Sequence, residues 1–147
     1  MSQTTWSGPL ASGDINAGKT GGPNIGLAVL SQTVLINFDA TLVQNGSVNL
    51  PFGSQLLEVI VDVLTPYNSA TSATLSVGIT SGATTYAASV NAKTAGRTYT
   101  TPTAAQCAAM ANIGTNGAVV STVTSVGQPT AGQVRVTYTY VQKTAND

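Results

Sequence analysis

The chain has 147 residues, of which 7% are charged, and its five basic and five acidic side chains cancel to a formal charge of zero. One domain of this length buries roughly 70% of its unfolded surface, while the scatter of Lys19, Lys93, Arg97, Arg135 and Lys143 excludes a phosphate-binding patch and with it a nucleic-acid partner. The sequence contains no histidine, which excludes imidazole metal sites and Ser-His-Asp or Cys-His nucleophiles.

Residues 1–26 lack sustained periodicity and are dense in glycine, with Pro9 and Pro23. They are expected to form an extended N-terminal arm. Trp6, the only tryptophan, either folds back onto its own domain or anchors the arm to a neighbouring subunit, where a buried Trp often dominates binding. The start of the chain has no basic region and no apolar run, so no signal peptide is expected. Gly13 to Thr20 matches the phosphate-loop pattern G-x-x-x-x-G-K-[ST]. Such a loop needs a buried strand before it and a helix after it to present backbone amides to phosphates. Here TTWSGPLAS precedes it and Gly21-Gly22-Pro23 follows, which no helix tolerates.

From residue 27 the period is two. Residues 33–38 read as a strand, with Val34, Ile36 and Phe38 on one side. Asn45-Gly46 has the composition of a tight turn leading into residues 47–50. Residues 55–65, QLLEVIVDVLT, form the most strongly β-patterned run of the chain. Alternation puts Leu57, Val59, Val61 and Val63 on a core face and Leu56, Glu58, Ile60, Asp62 and Leu64 on the other. The second face is half apolar, so it is expected to be covered, by the helix or arm of the same subunit or by another subunit. Glu58 and Asp62 interrupt the longest apolar run, so no membrane span is expected.

Further strands are expected at 73–79, with Leu75, Val77 and Ile79 inward, and at 85–90, with Tyr86, Ala88 and Val90 alternating. Residues 97–101 form a weaker one. Thr103-Ala104-Ala105-Gln106 then has the form of a capping box and opens a short helix closed by Gly114. Cys107, Met110 and Ile113, three apart, are its expected buried stripe. Cys107, the only cysteine, permits no internal disulfide and has no flanking cation to favour a thiolate. Residues 118–126 and 133–141 form the last two strands, the second with Val134, Val136, Tyr138 and Tyr140 on one face. The expected fold is all-β: a two-sheet antiparallel sandwich of jelly-roll type with one short inserted helix and the N-terminal arm. The chain divides into the arm, residues 1–26, the sandwich, residues 27–143, and a tail, residues 144–147.

Catalysis is poorly supported. Glu58 and Asp62 share a face, but four strand residues set them about 13 Å apart, beyond the roughly 5 to 9.5 Å of paired glycosidase carboxylates. Asp14, Asp39 and Asp147 are scattered, so neither a metal cluster nor any cofactor site is expected. Sugar binding is the stronger rival, through stacking on Tyr67, Tyr86 or Tyr99, although Tyr86, Tyr138 and Tyr140 occupy strand positions that suit the core.

The runs NLPFGSQLLEVIVDVLT, TSATLSVGIT, TYAASVNAKTAGR, AAMANIGTNGAVVSTVT and GQVRVTYTYV resemble small structural proteins of tailed bacteriophage heads and tails. The resemblance covers about residues 22–142. It implies a non-enzymatic virion protein, made in the host cytoplasm, that decorates or cements the capsid exterior at junctions between major capsid subunits. Its partners would be the major capsid protein and further copies of itself, as dimer or trimer. The alternative is a head- or tail-fibre module that binds host-surface glycans. On either reading the candidate subunit or capsid interface is Trp6, Leu56, Ile60, Leu64 and Tyr67, with no membrane partner.

The phosphate-loop match provides a direct test. Lys19→Ala is expected to leave calorimetric titrations with ATP and GTP as flat as those of the unaltered chain. Micromolar binding that the substitution abolishes would overturn both this reading and the fold class.

Overall fold

A computed structural model describes residues 10–11, 25–26, 28–114 and 117–142. Trp6, the phosphate-loop match and the 144–147 tail lie outside them. Two short strands, β1 (Leu10–Ala11) and β2 (Ile25–Gly26), pair antiparallel. The remaining strands are β3 (Val29–Asn37), β4 (Val43–Asn49), β5 (Gln55–Thr65), β6 (Ser72–Gly78), β7 (Ala87–Asn91), β8 (Gly96–Tyr99), β9 (Ala118–Val126) and β10 (Gln133–Val141). Among the described residues a single helix, α1 (Ala104–Met110), lies between β8 and β9.

These eight strands form two four-stranded antiparallel sheets, ordered β3-β10-β5-β8 and β4-β9-β6-β7. Counted by rank among the eight, the orders are 1-8-3-6 and 2-7-4-5, which is the jelly roll. Among these eight only β6 and β7 are consecutive strands paired in one sheet; every other connection among them crosses between sheets. Val59, Val61, Val134, Val136 and Tyr138 from one sheet meet Leu75, Val77, Val119 and Val123 from the other, all with no exposed surface. β-branched side chains suit such a pleated, two-sided core. The Tyr138 hydroxyl hydrogen-bonds the Ser121 hydroxyl inside it, linking β10 to β9 and so one sheet to the other.

Several expected details are corrected, each for a local reason. On β5 the core positions are Leu56, Val59, Val61 and Val63, not Leu57. Glu58 pairs with Thr139 and Leu56 with Tyr140, so Leu57 is an extra residue with no partner on β10. This β-bulge exchanges the two faces: Leu56 is 2% exposed and Leu57 43%. A second irregularity, between Gln133 and Val134 of β10, skips Leu64 in the same way.

Asn45-Gly46 is not a turn but the middle of β4, paired with Thr122 and Ser121 of β9. A Cβ on Gly46 would lie 2.7 Å from Val34 and 2.8 Å from Ile36, so the glycine is there to let β3 approach. The strand expected over 85–90 starts at Ala87, and Tyr86, Ala87 and Val90 are buried whereas Ala88 is exposed. Leu75 pairs with Val90 and Val77 with Ala87, so β7 also holds an extra residue, and Ser89 there has φ of +55°. Ile79 and Phe38 fall just beyond the ends of β6 and β3 and are exposed.

The capping box forms as expected. The Thr103 hydroxyl accepts from the Gln106 amide, and the Gln106 side chain accepts from the Thr103 amide. Cys107, however, is exposed. Met110 and Ile113 are buried and Ala109 packs against them and the core, while Gln106 donates to the Thr84 carbonyl. The inward stripe is therefore 106, 109, 110 and 113, the i, i+3, i+4, i+7 set. At about 100° per residue, Cys107 stands well outside that arc.

The bulge is measurable by paired truncations. Leu56→Ala is expected to lower unfolding free energy by about 2–5 kcal/mol, as for a buried leucine, and Leu57→Ala by no more than about 1 kcal/mol. Urea denaturation of both variants checks this; equal losses, or the reverse order, would contradict the bulge.

Candidate interaction surface

β5 lies between β10 and β8, so the outward side chains of Ile60 and Asp62 have neighbours on both sides, while Glu58 has one on β10 alone. Register places them in rungs. Leu35 of β3, Arg135 of β10, Asp62 of β5 and Arg97 of β8 form one; Thr33, Thr137, Ile60 and Tyr99 form the next; Ser31, Thr139 and Glu58 form the third. Their inward neighbours Val59 and Val61 are fully buried, which fixes the direction of Glu58, Ile60 and Asp62 away from the core.

Asp62 is the electrostatic centre of this face. Arg97 Nε donates to its Oδ1 at 2.6 Å and Arg97 Nη2 to its Oδ2 at 3.0 Å, a two-pronged contact. Arg135 Nη2 and Nε donate to Oδ2 at 2.8 and 3.1 Å. The Asp62 side chain is 9% exposed, while those of Arg97 and Arg135 are 50% and 45% exposed. The carboxylate is thus shielded by the two guanidinium groups lying over it rather than by the core. Hydrogen bonds from Arg97 and then Arg135 lower its pKa from 3.8 to about 2. The Arg97 pKa is raised, first by Asp62 and then by Tyr99 beside it.

Apolar groups surround this triad. Leu35, Leu57 and Leu64 are exposed, Ile60 is half-buried, and Tyr99 is 58% exposed. Arginine and tyrosine set among exposed aliphatic side chains is the composition of an interface core more than of a free surface. The opposite sheet differs: the loop after β6 folds over its outer face, where Gly82 N donates to Thr122 Oγ1 and Ser81 Oγ to Asn45 Oδ1. The helix packs its Met110 end against the core and its cap near Thr84.

Of the five residues proposed from sequence, the structure brings only Ile60 and Leu64 to this face. Leu56 lies in the core because of the bulge, and Trp6 is outside the described residues. Tyr67 is 1% exposed, packed where a Cβ on Gly132 would meet its ring. Its hydroxyl makes no hydrogen bond among the described residues, and burial raises its pKa to about 12. The residues that sequence reasoning missed are Arg97, Arg135 and Leu35; Tyr99 is singled out there only for sugar stacking. An aspartate amid valines on a strand was the available signal: it demands cations on both flanking strands, and Arg97 and Arg135 lay in the strand segments able to supply them.

A groove of about 400 Å³ opens between β7 and β8, lined by Ser89, Asn91, Thr98, Thr100, Thr101 and Gln106 among others, with Tyr99 at the same place. Tyr86, like Tyr67, is buried and offers no ring for stacking. Among the described residues no three His, Cys, Asp or Glu side chains come together. Both oxygens of Asp62 are engaged by arginines, so with Glu58 it makes no acid–base pair.

No protein-family model and no curated protein matches the sequence. Two solved structures share the fold. One is a chain of the cyanophage Pam1 capsid asymmetric unit, 22% identical, with a TM-score of 0.58 over 91% of this chain and 100% of that one. The other belongs to the capsid of Ralstonia phage GP4, 18% identical, with a TM-score of 0.54 over 92% of both chains. At these identities the likeness is one of fold.

The triad makes stability depend on acid. With the folded pKa of Asp62 near 2 and the unfolded value near 3.8, the unfolded chain takes up a proton first as pH falls. The contribution is therefore complete above about pH 4 and is lost on the way down to about pH 2. Asp62→Asn is expected to lower Tm at pH 7, where two guanidinium groups lose their counter-charge, and to flatten the fall of Tm between pH 5 and pH 2. A variant with an acid limb as steep as that of the parent would remove Asp62 as its source.

Proposed function

We propose that the protein is a non-enzymatic structural component of a bacteriophage virion. Within that class it is a capsid decoration or cement protein, bound to the exterior of the assembled head where major capsid subunits meet, and associated with copies of itself. The observation that carries this reading is that chains from two phage capsids have this fold over more than nine-tenths of both partners' length. The physical chemistry supports it. A chain with 7% charged residues carries little self-repulsion, and the open face of β5 offers apolar area edged by arginines. A protein that binds only the assembled shell shifts the shell away from disassembly by mass action.

A second reading has support from one feature. The hydroxyl-lined groove beside exposed Tyr99 suits a glycan, as in a head- or tail-fibre module. Burial of Tyr67 and Tyr86 leaves that reading with a single ring in place of three.

Phage particles with the coding sequence deleted distinguish the two. Under the decoration reading, heads assemble but release DNA at a lower temperature, and purified protein added back binds saturably and restores the original value. Under the fibre reading, head stability is unchanged and adsorption to the host is lost. If the protein is absent from purified wild-type particles by mass spectrometry, both readings fall.

A further inference from the structure

The outer face of β5 is electrically lopsided in a way that fits its own copy. At one end, two guanidinium groups share a single carboxylate, so the Arg97–Asp62–Arg135 cluster carries a surplus of one positive charge. Arg97 and Arg135 spend their Nε and Nη2 groups on Asp62. Among the described residues Arg135 Nη1 donates to no acceptor, which leaves it available to a second one, while Arg97 also has Tyr99 beside it. At the other end stands Glu58, opposite Thr139 and in no ion pair among the described residues. The two ends are four strand residues, about 13 Å, apart. Ile60 lies midway, in a rung otherwise made of Thr33, Thr137 and Tyr99, which carries no formal charge.

We infer that two copies of the chain pack these faces together about a two-fold axis that passes over Ile60 of β5. Such an axis, lying between the sheets and perpendicular to the strands, reverses the strand direction. It sets Glu58 of each copy over the arginine pair of its partner, neutralising the surplus charge at both ends. Ile60 and Tyr99 meet their own symmetry mates at the centre, excluding water from the flanking ion pairs. Nine residues on each of β3, β10 and β5 and the four of β8, at about 3.3 Å by 4.8 Å each, give a flat footprint of about 500 Å² per copy. The relief of the side chains brings the accessible area toward the roughly 800 Å² per partner of a stable complex. This deepens the self-association in the reading above and is tested on the free protein, so its failure leaves the particle experiment untouched.

Sedimentation velocity of the full chain is expected to show a species of twice the 14.8 kDa chain mass, with a dissociation constant that rises with salt, since the ion pairs at the rim are screened. Glu58→Lys is expected to raise that constant at least tenfold, an order-of-magnitude figure for reversing a paired interface charge, with a cooperative melt close to that of the parent. Position-specific cross-linking fixes the axis. In a Cys107→Ser background, chosen because Cys107 is exposed, Ile60→Cys is expected to cross-link to its own copy with a short bis-maleimide. Facing sheets lie about 10 Å apart, too far for a direct disulfide. Glu58→Cys, displaced about 13 Å along the strand from its symmetry mate, is expected not to. A trimer overturns the inference, because an isologous face closes at two. So does a chain still monomeric at about 0.1 mM, well short of an interface of this class. A dimer indifferent to Glu58→Lys, or one in which Glu58→Cys cross-links and Ile60→Cys does not, overturns it equally.

Discussion

The pairing of β5 with β10, and the two places where it slips, is the constraint from which the rest of the molecule follows. β10 sits between β3 and β5, so its register sets both neighbours at once. Because the side-chain period of a strand is two, one unpaired residue at Leu57 exchanges inside and outside for everything before it. Leu56 thereby enters the core beside Val59 and leaves the outer face to Glu58, Ile60 and Asp62, with Leu57 exposed in its place. A continuous ladder would instead put Leu57 in the core and keep Leu56 on the outer face with Ile60. The bulge therefore decides both the composition of the core and the content of the exposed face.

Two polar contacts, one inside and one outside, then lock that register. The Tyr138 and Ser121 hydroxyls satisfy each other between the sheets, and burial raises the Tyr138 pKa to about 12 even though Ser121 pulls the other way. A buried hydroxyl without a partner costs on the order of 1–3 kcal/mol, so any shift that separates these two is penalised. On the outside, Asp62 is bound from both flanking strands. A shift of one residue by β8 or β10 would turn its arginine to the opposite face. Beside them the loop after β5 is held by Asn68, whose side-chain oxygen accepts from the Thr130 and Ala131 amides and whose nitrogen donates to Thr130 Oγ1. That clamp seats Tyr67 against Gly132 at the end of the sandwich.

What the sequence makes legible is whatever repeats. The alternation over Val134, Val136, Tyr138 and Tyr140 specifies its strand and face correctly, the capping box at Thr103 marks the start of the helix, and the spacing of short strands specifies a two-sheet sandwich. What fails is whatever depends on a partner strand. A bulge at Leu57, or the extra residue near Ser89, leaves no mark in the period of its own strand; it exists only as a mismatch in count with β10 or β6. Gly46 misleads for the same reason. Asn-Gly is strong turn chemistry, overridden here because Val34 and Ile36 of the other sheet need the volume a side chain would fill. The candidate interface suffers most. Ile60 and Leu64 lie outside the core as expected, but the bulge puts Leu56 inside it, and the charged cluster required knowing which strands flank β5.

The distribution of charge matters more than its amount. Of the charged residues in the described part of the chain, Glu58, Asp62, Arg97 and Arg135 share one face, leaving only Asp39 and Lys93 elsewhere. Lys93 is itself turned onto the Ser69 and Thr71 carbonyls. The edge strands β3 and β4 hold no charged residue, although an exposed, uncharged edge invites indiscriminate pairing. A surface of this kind is suited to being covered, and a purely apolar one would be covered by anything. Two arginines fixed on one aspartate, with a lone glutamate 13 Å away by strand geometry, make the open face of β5 selective at small cost. A partner that lines up its charges is favoured, and one that slips by a single rung sets a carboxylate or a guanidinium against an apolar side chain. The same register that builds the core therefore also sets the terms on which the outside of the molecule can be occupied.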